Sequence, residues 1–311
     1  MFILNPDPYS LPAYRIGPFT TKDVAVNASL PVANQIDESF TNRFPTSSIT
    51  YTENGRKAIQ LALAYYNLTA DDVVTIFTTS GNFYISGCVT KEIEQVCKWS
   101  RSVETNTRIL FVNHEFGYPY PGIQSLRAHG FPIIEDCANT FYSQDEEQTV
   151  GTVGDFVIYS FPKIFPIQVG GVLKCNIPGY KPAYCMDKGL ELYIKNVLSS
   201  QLKHEVAICE KRIHNYNYLA DNFSQLGLAA RFATAPGTVP GVFMFTVEDS
   251  TLDLGQLKDH FYAHGVQCSV FYGERAFFIP CHQALEDADL EYFTAVMLAF
   301  MIENGKDSDR N

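Results

Sequence analysis

The chain has 311 residues, of which 46% are apolar and 18% charged. That is enough for one large α/β unit or two domains, and it excludes disorder for the bulk of the chain. A formal charge of −11 argues against sequence-independent nucleic-acid binding and against coating an anionic membrane surface.

The apolar stretch at the N-terminus ends after Leu4, with no basic segment before it, so it does not read as a signal peptide. No run approaches the length of a membrane span. Three Asn-x-Ser/Thr triplets, at Asn27, Asn67 and Asn222, read as chance matches. The eight Cys form no Cys-x-x-Cys pair and read as reduced thiols of a cytoplasmic protein. The seven His include no His-Glu-x-x-His, and no metal site is expected. Gly-x-Gly-x-x-Gly, the Walker loop and Gly-x-Ser-x-Gly are all missing, which lowers the case for dinucleotide dehydrogenases, P-loop enzymes and serine hydrolases.

In chain order, the spacing of Ile36, Phe40 and Phe44 predicts a helix within 31–44. A second helix is predicted over 55–67, with Ala58, Ile59, Ala62 and Leu63 inward, and a strand over 73–77. A helix over 90–101 follows, with Ile93, Val96 and Cys97 on one side. Then come a strand at 108–112, a helix at 122–129, and strands at 132–135, 156–160 and 169–175. This alternation predicts a mainly parallel sheet covered on both faces. After Cys175 the pattern changes to a long helical stretch over 186–226, strands at 241–248 and 265–272 around a helix near 252–264, and a last helix over 287–302. A polar tail is expected over 304–311. The reading is a large α/β domain over 1–195 and a smaller α+β domain over 196–311.

Four segments fall at strand ends, where ligands of open α/β sheets bind. Glu53-Asn54-Gly55-Arg56-Lys57 opens a helix, a place that suits a phosphate and also an ordinary Asn cap. Thr79-Ser80-Gly81-Asn82-Phe83-Tyr84 follows a strand, and its aromatics suit either a ring stack or the core. Ile134-Glu135-Asp136-Cys137-Ala138-Asn139 ends an apolar strand with acids, which need a partner there or serve as a helix cap. Ser160-Phe161-Pro162-Lys163 puts one Lys in an apolar stretch, either as an amine nucleophile or as a snorkelling surface residue. Phosphate cradle, aromatic, acid and Lys, in that order along one α/β domain, match the needs of pyridoxal 5'-phosphate.

At these motifs the chain resembles the DegT/DnrJ/EryC1/StrS family of sugar-nucleotide aminotransferases, which have the aspartate-aminotransferase fold type I. Asn54-Gly55-Arg56-Lys57-Ala58-Ile59 resembles the family's Ser-Gly-Thr-Ala-Ala-Leu, and Val112-Asn113-His114-Glu115-Phe116-Gly117 its Val-x-His-x-Tyr-Gly. Ile134 to Asn139 resembles Ile-Glu-Asp-Ala-Ala-Gln, Gly151 to Asp155 resembles Gly-x-x-Gly-Asp, and Ser160 to Gly171 resembles Ser-Phe…Lys…Gly-Gly. Pro280 to Leu285 is similar to the C-terminal Leu-Pro-x-His-x-x-Leu.

The resemblance implies a PLP-dependent aminotransferase acting on a nucleotide-linked keto sugar, with glutamate as amino donor, working as a homodimer. It implies that Lys163 bonds the cofactor aldehyde and that Asp136 holds the pyridinium proton. Asn139 would face the ring hydroxyl, while Ser160 with Asn54, Gly55 and Arg56 would hold the phosphate. Phe83 would stack on the ring, although an ungapped alignment puts Asn82 there, and His114 would touch substrate. There are departures. The Lys lies three residues after the Ser instead of five, where this chain has Phe165, as in a Ser-x-x-Lys-x-x-Pro subset of the family. Arg56 and Lys57 replace small residues of the phosphate loop, Asn215-Tyr216-Asn217-Tyr218 only echoes the segment that reaches a neighbouring subunit, and the chain is shorter than typical members. These departures motivate an alternative, a degenerate or regulatory PLP-binding protein without turnover. A dehydratase with His in place of the Lys is disfavoured because the Lys is retained.

Overall fold

The computed structural model describes residues 12–308. The N-terminal stretch Met1–Leu11 and the end of the expected polar tail lie outside the described residues.

The chain divides into two compact units. The larger comprises Phe19–Val206 and Pro236–Val239. Its elements are α1 (Thr21–Ala28), α2 (Gln35–Arg43), β1 (Ser48–Thr52), α3 (Gly55–Tyr65), β2 (Val73–Thr78), α4 (Gly87–Glu94), β3 (Lys98–Ser100), β4 (Thr107–Asn113), β5 (Ile133–Asp136), β6 (Phe156–Ser160), β7 (Gly171–Cys175) and α5 (Lys188–Leu202). They build a seven-stranded sheet in the order β1-β7-β6-β5-β4-β2-β3. The pairs from β3 through β6 are parallel, and β7 runs antiparallel between β6 and β1.

Because neighbouring residues of a strand face opposite ways, the apolar strands feed cores on both faces of the sheet. On one face Ile134, Phe156, Ile158 and Leu173 pack under Ala58, Ile59, Ala62 and Leu63 of α3 and Val89 and Ile93 of α4. On the other, Val157, Tyr159 and Val172 meet Ile36 and Phe40 of α2 and Ile194, Val197 and Leu198 of α5. Burial on both faces is why these strands read as continuous apolar runs.

The helix expected over 90–101 is corrected. It ends at Glu94, and residues 98–100 form a strand paired with Val73–Thr75 of β2, so sheet pairing overrides the helical spacing of Ile93 and Cys97. The helix at 122–129 is a 3₁₀ segment, Ile123–His129. The stretch over 186–226 is two helices, α5 and α6 (Glu205–Gln225), and α1 and β1 were not anticipated.

Among the described residues, the smaller unit contains 12–18, Ala207–Ala235 and 240–308. Besides most of α6 it holds β8 (Phe243–Thr246), α7 (Leu254–Ala263), β9 (Ser269–Phe271), β10 (Ala276–Ile279) and α8 (Asp287–Ser308). Its antiparallel sheet has the order β8-β10-β9, so the unexpected β10 is the central strand. Among the described residues, no helix is long and apolar enough to cross a membrane.

Candidate functional site

The sheet register gathers the sequence-predicted segments of the larger unit at one edge. Thr52 of β1 and Ser160 of β6 both pair with Gly171 of β7. Thr78 pairs with Asn113, and Asn113 with Asp136. The ends of five strands and the start of β7 therefore share the carboxyl edge, where open α/β sheets bind ligands.

At the β6–β7–β1 end, Asn54 caps α3 by accepting a hydrogen bond from the Lys57 N–H at 3.0 Å. That leaves the N–H groups of Gly55 and Arg56 in the first turn, where the helix dipole favours an anion. A β-carbon on Gly55 would stand 3.2 Å from Ser160 Cβ, so a side chain there would crowd the helix start against Ser160. A β-carbon on Gly171 would lie 2.7 Å from the Tyr159 carbonyl and 2.8 Å from the Asn54 carbonyl carbon. The Gly170 N–H donates to the Glu53 carbonyl at 2.6 Å, which ties the two segments together. The Arg56 side chain is exposed beside this cradle.

Asp136 ends β5 and is buried. Burial raises its carboxyl above the usual range, against the opposing pull of the Ala138 N–H, which donates to Oδ1 at 3.0 Å, and of the Lys163 cation. Lys163 closes the 3₁₀ turn Phe161–Lys163 and is exposed. Phe165, the position five after Ser160, is 0% exposed in an aromatic cluster with Phe141 and Phe161. The structure thus brings Asp136 and Lys163 into electrostatic range and turns Phe165 away. Asn139 is half-buried in the turn that follows Asp136.

Two predicted residues are placed differently. Phe83 is 70% exposed and lies against Trp99 of the edge strand β3. Asn82 is buried beside it, and its carbonyl accepts from Arg101 at 2.7 Å. His114 is 0% exposed. Its Nδ1 accepts from the Tyr120 N–H at 2.8 Å, so Nε2 carries the proton and donates to Glu135 Oε2 at 3.1 Å. With both nitrogens engaged inside the protein, His114 is not available to substrate.

The sequence reading missed what supports the site. Tyr184 donates to the Glu53 carboxylate, and the Lys57 ammonium sits 5.1 Å from the centre of the Tyr184 ring, so the segment after β7 is strapped to the start of α3. Only tertiary folding brings these residues together, and no local spacing signals them. In the smaller unit, the motif Pro280 to Leu285 is structural. His282 donates from Nε2 to the Arg15 carbonyl at 3.0 Å, and burial together with the Arg212 cation pushes its imidazole down to about 3. Asn215 is buried and donates to the His282 carbonyl at 2.8 Å, so it does not reach outward.

The model of the DegT/DnrJ/EryC1/StrS aminotransferase family matches residues 94–173, which bears out the resemblance over the segment carrying β4 to β7. No curated protein matches the chain. Among solved structures, an aminotransferase TlmJ from Streptoalloteichus hindustanus is similar at TM-score 0.71 and 16% identity, over 91% of this chain and 95% of that one. A DegT DnrJ EryC1 StrS aminotransferase from Brucella abortus is similar at TM-score 0.67 and 13% identity, over 90% and 93%. An E. coli GDP-4-keto-6-deoxy-D-mannose-3-dehydratase with bound hydrated PLP is similar at TM-score 0.68 and 14% identity, over 92% and 100%. These likenesses establish the fold as PLP-dependent transferase fold type I, a large, mainly parallel sheet domain with a smaller α+β domain.

Proposed function

We propose that the chain is a PLP-dependent aminotransferase that moves an amino group from a donor, glutamate in our reading, to a keto sugar linked to a nucleotide. The observation that carries this reading is the sheet register that ends β1, β5 and β6 at one edge, with Gly55 packed on Ser160 and Lys163 within electrostatic range of Asp136. The donor set fits the cofactor: a cradle that a side chain on Gly55 would fill, a buried acid, and an exposed amine within electrostatic range of that acid. The similarity to the family over residues 94–173 and to a fold relative that holds PLP supports it.

When bound, PLP supplies an aldehyde for amines and a protonated ring that takes up carbanion charge. The Gly55 and Arg56 amides and the Ser160 hydroxyl would hold its phosphate. Asp136 would hold the proton at the ring nitrogen, and Asn139 would orient the ring hydroxyl. Lys163 would hold the aldehyde end of the cofactor, and its amine would carry the proton on and off the substrate carbon. Retention of Lys163 favours transfer over the dehydratase chemistry of the E. coli relative. In this reading the enzyme is a cytoplasmic homodimer.

The test is spectroscopic. Purified protein incubated with PLP is expected to show visible absorbance that borohydride fixes, and Lys163→Ala is expected to abolish it. Glutamate is expected to bleach the absorbance in a half-reaction. Protein that takes up no PLP overturns the proposal, and uptake without bleaching by any amino donor overturns the transferase part.

A further inference from the structure

We propose that Glu135 is a positioning residue for Asp136, a buried clamp that fixes the end of β5 so that the Asp136 carboxylate meets the cofactor ring. This inference rests on the PLP reading above.

The two acids are neighbours on a strand of only four residues and face opposite sides of the sheet. Asp136 has little of its own to fix it: among the described residues its carboxylate accepts a hydrogen bond from the Ala138 N–H. Glu135 is the reverse. It is 0% exposed, and its two oxygens collect four donors. Oε1 accepts from the Val153 N–H at 2.8 Å and from the Gly154 N–H, and Oε2 accepts from the Gly151 N–H at 2.7 Å and from His114 Nε2 at 3.1 Å. The loop before β6 is shaped to it. A β-carbon on Gly154 would stand 3.1 Å from Glu135 Cγ, and Lys174 donates to the Gly151 carbonyl at 2.5 Å.

His114, Glu135 and Cys137 have ligating atoms within 4.8 Å of one another, the spacing of a metal centre. Their bonding is that of a clamp instead, because the His114 proton points at the carboxylate and backbone N–H groups occupy both of its oxygens. The clamp joins β4 through His114, β5 through Glu135 and the loop that enters β6. Asp155 holds the other end of β5 by accepting from the Ile133 N–H at 2.9 Å. A buried carboxylate carries a large desolvation cost. Placing one directly behind a second buried acid is justified when the second must be held within a fraction of an ångström.

The test compares wild type, Glu135→Gln, His114→Gln and His114→Leu with PLP labelled at the ring nitrogen. Cofactor Kd comes from absorbance titration and ring-nitrogen protonation from the NMR shift of the label. Glu135→Gln and His114→Leu are expected to raise Kd by about tenfold to a hundredfold and to move the ring nitrogen toward its unprotonated shift in the folded fraction. His114→Gln, which can still donate to Glu135, is expected to restore most of both. A purely structural role would lower thermal stability and leave the shift of the folded fraction where it was, which overturns the proposal. If Glu135→Gln does not fold, the two His114 variants decide the matter by the same criterion. Wild type that takes up PLP while every variant matches it overturns this proposal alone. Wild type that takes up none overturns the PLP reading and this proposal with it.

Discussion

Gly55 and Ser160 are packed so closely that a β-carbon on the glycine would lie 3.2 Å from the serine's β-carbon. The contact leaves the first turn of α3 intact but narrows the space between its N–H groups and the Ser160 hydroxyl. Gly55→Ala is therefore expected to keep the fold, since alanine is a good helix former, and to weaken phosphate binding. The expected outcome is a cofactor Kd raised about tenfold, equivalent to ~1.4 kcal/mol, with little change in Tm. Gly171→Ala is the contrasting case. Its β-carbon would meet backbone at 2.7 and 2.8 Å, and backbone gives way less easily than a side chain. That variant is expected to lose about 1–3 kcal/mol of stability, measured by denaturant unfolding of the cofactor-free protein.

Asp136 shows the tension between stability and function. Burial, only partly opposed by the Ala138 N–H and the Lys163 charge, raises its carboxyl in the folded state. Between the unfolded value of about 3.9 and the raised folded one, the native state binds more protons than the unfolded state, so stability falls as pH rises through that window. The cost persists at neutral pH. Asp136→Asn removes it and is expected to raise the Tm of the cofactor-free protein at pH 7 by several degrees, with the gain vanishing below pH 4. The same variant is expected to lose turnover. A variant less stable than wild type at pH 7 would contradict the electrostatic account.

Much of this site is legible in the sequence because it is made of strand ends. Ile133 to Asp136 and Phe156 to Ser160 are apolar runs closed by polar residues, and that pattern alone places Asp136 and Ser160 at the sheet edge. The phosphate cradle is legible through Asn54-Gly55, since capping and close approach are local properties. Positions decided by side-chain direction are not. Phe83 lies in the expected loop, yet its ring turns to Trp99. His114 has the chemistry of a ligand-binding residue but is committed to Glu135 and Tyr120. The strand at 98–100 exists because β2 offers it a partner, which no window of eleven residues reveals.

The assignment of Lys163 over the five-residue spacing makes a direct prediction. Phe165 packs on Phe141 at 5.0 Å between ring centres and is wholly buried. Replacing it by a charged side chain both removes a large ring and buries a cation. Phe165→Lys is expected to cost at least about 3 kcal/mol of stability. In the Lys163→Ala background it is expected not to restore the visible absorbance. Restoration by the double variant would show that the amine belongs at position 165.

Lys174 lies on the Glu135 face of the sheet, with its ammonium 4.3 Å from the centre of the Phe44 ring and bonded to the Gly151 carbonyl. Burial pushes it down to about 8, although the Glu135 charge works the other way. From about pH 8 to the unfolded value of about 10.4, the unfolded chain holds more protons than the native one, so this group makes stability rise with pH there. Below pH 8 the native state carries the full desolvation cost. Lys174→Met keeps the stem's contact with Phe44 and removes the charge together with the hydrogen bond to the Gly151 carbonyl. It is expected to raise Tm at pH 7, and the difference from wild type is expected to shrink steadily toward pH 10. Thermal melts of both proteins across that range measure it directly, and a difference that does not depend on pH would mean that packing, not the Lys174 charge, sets the change.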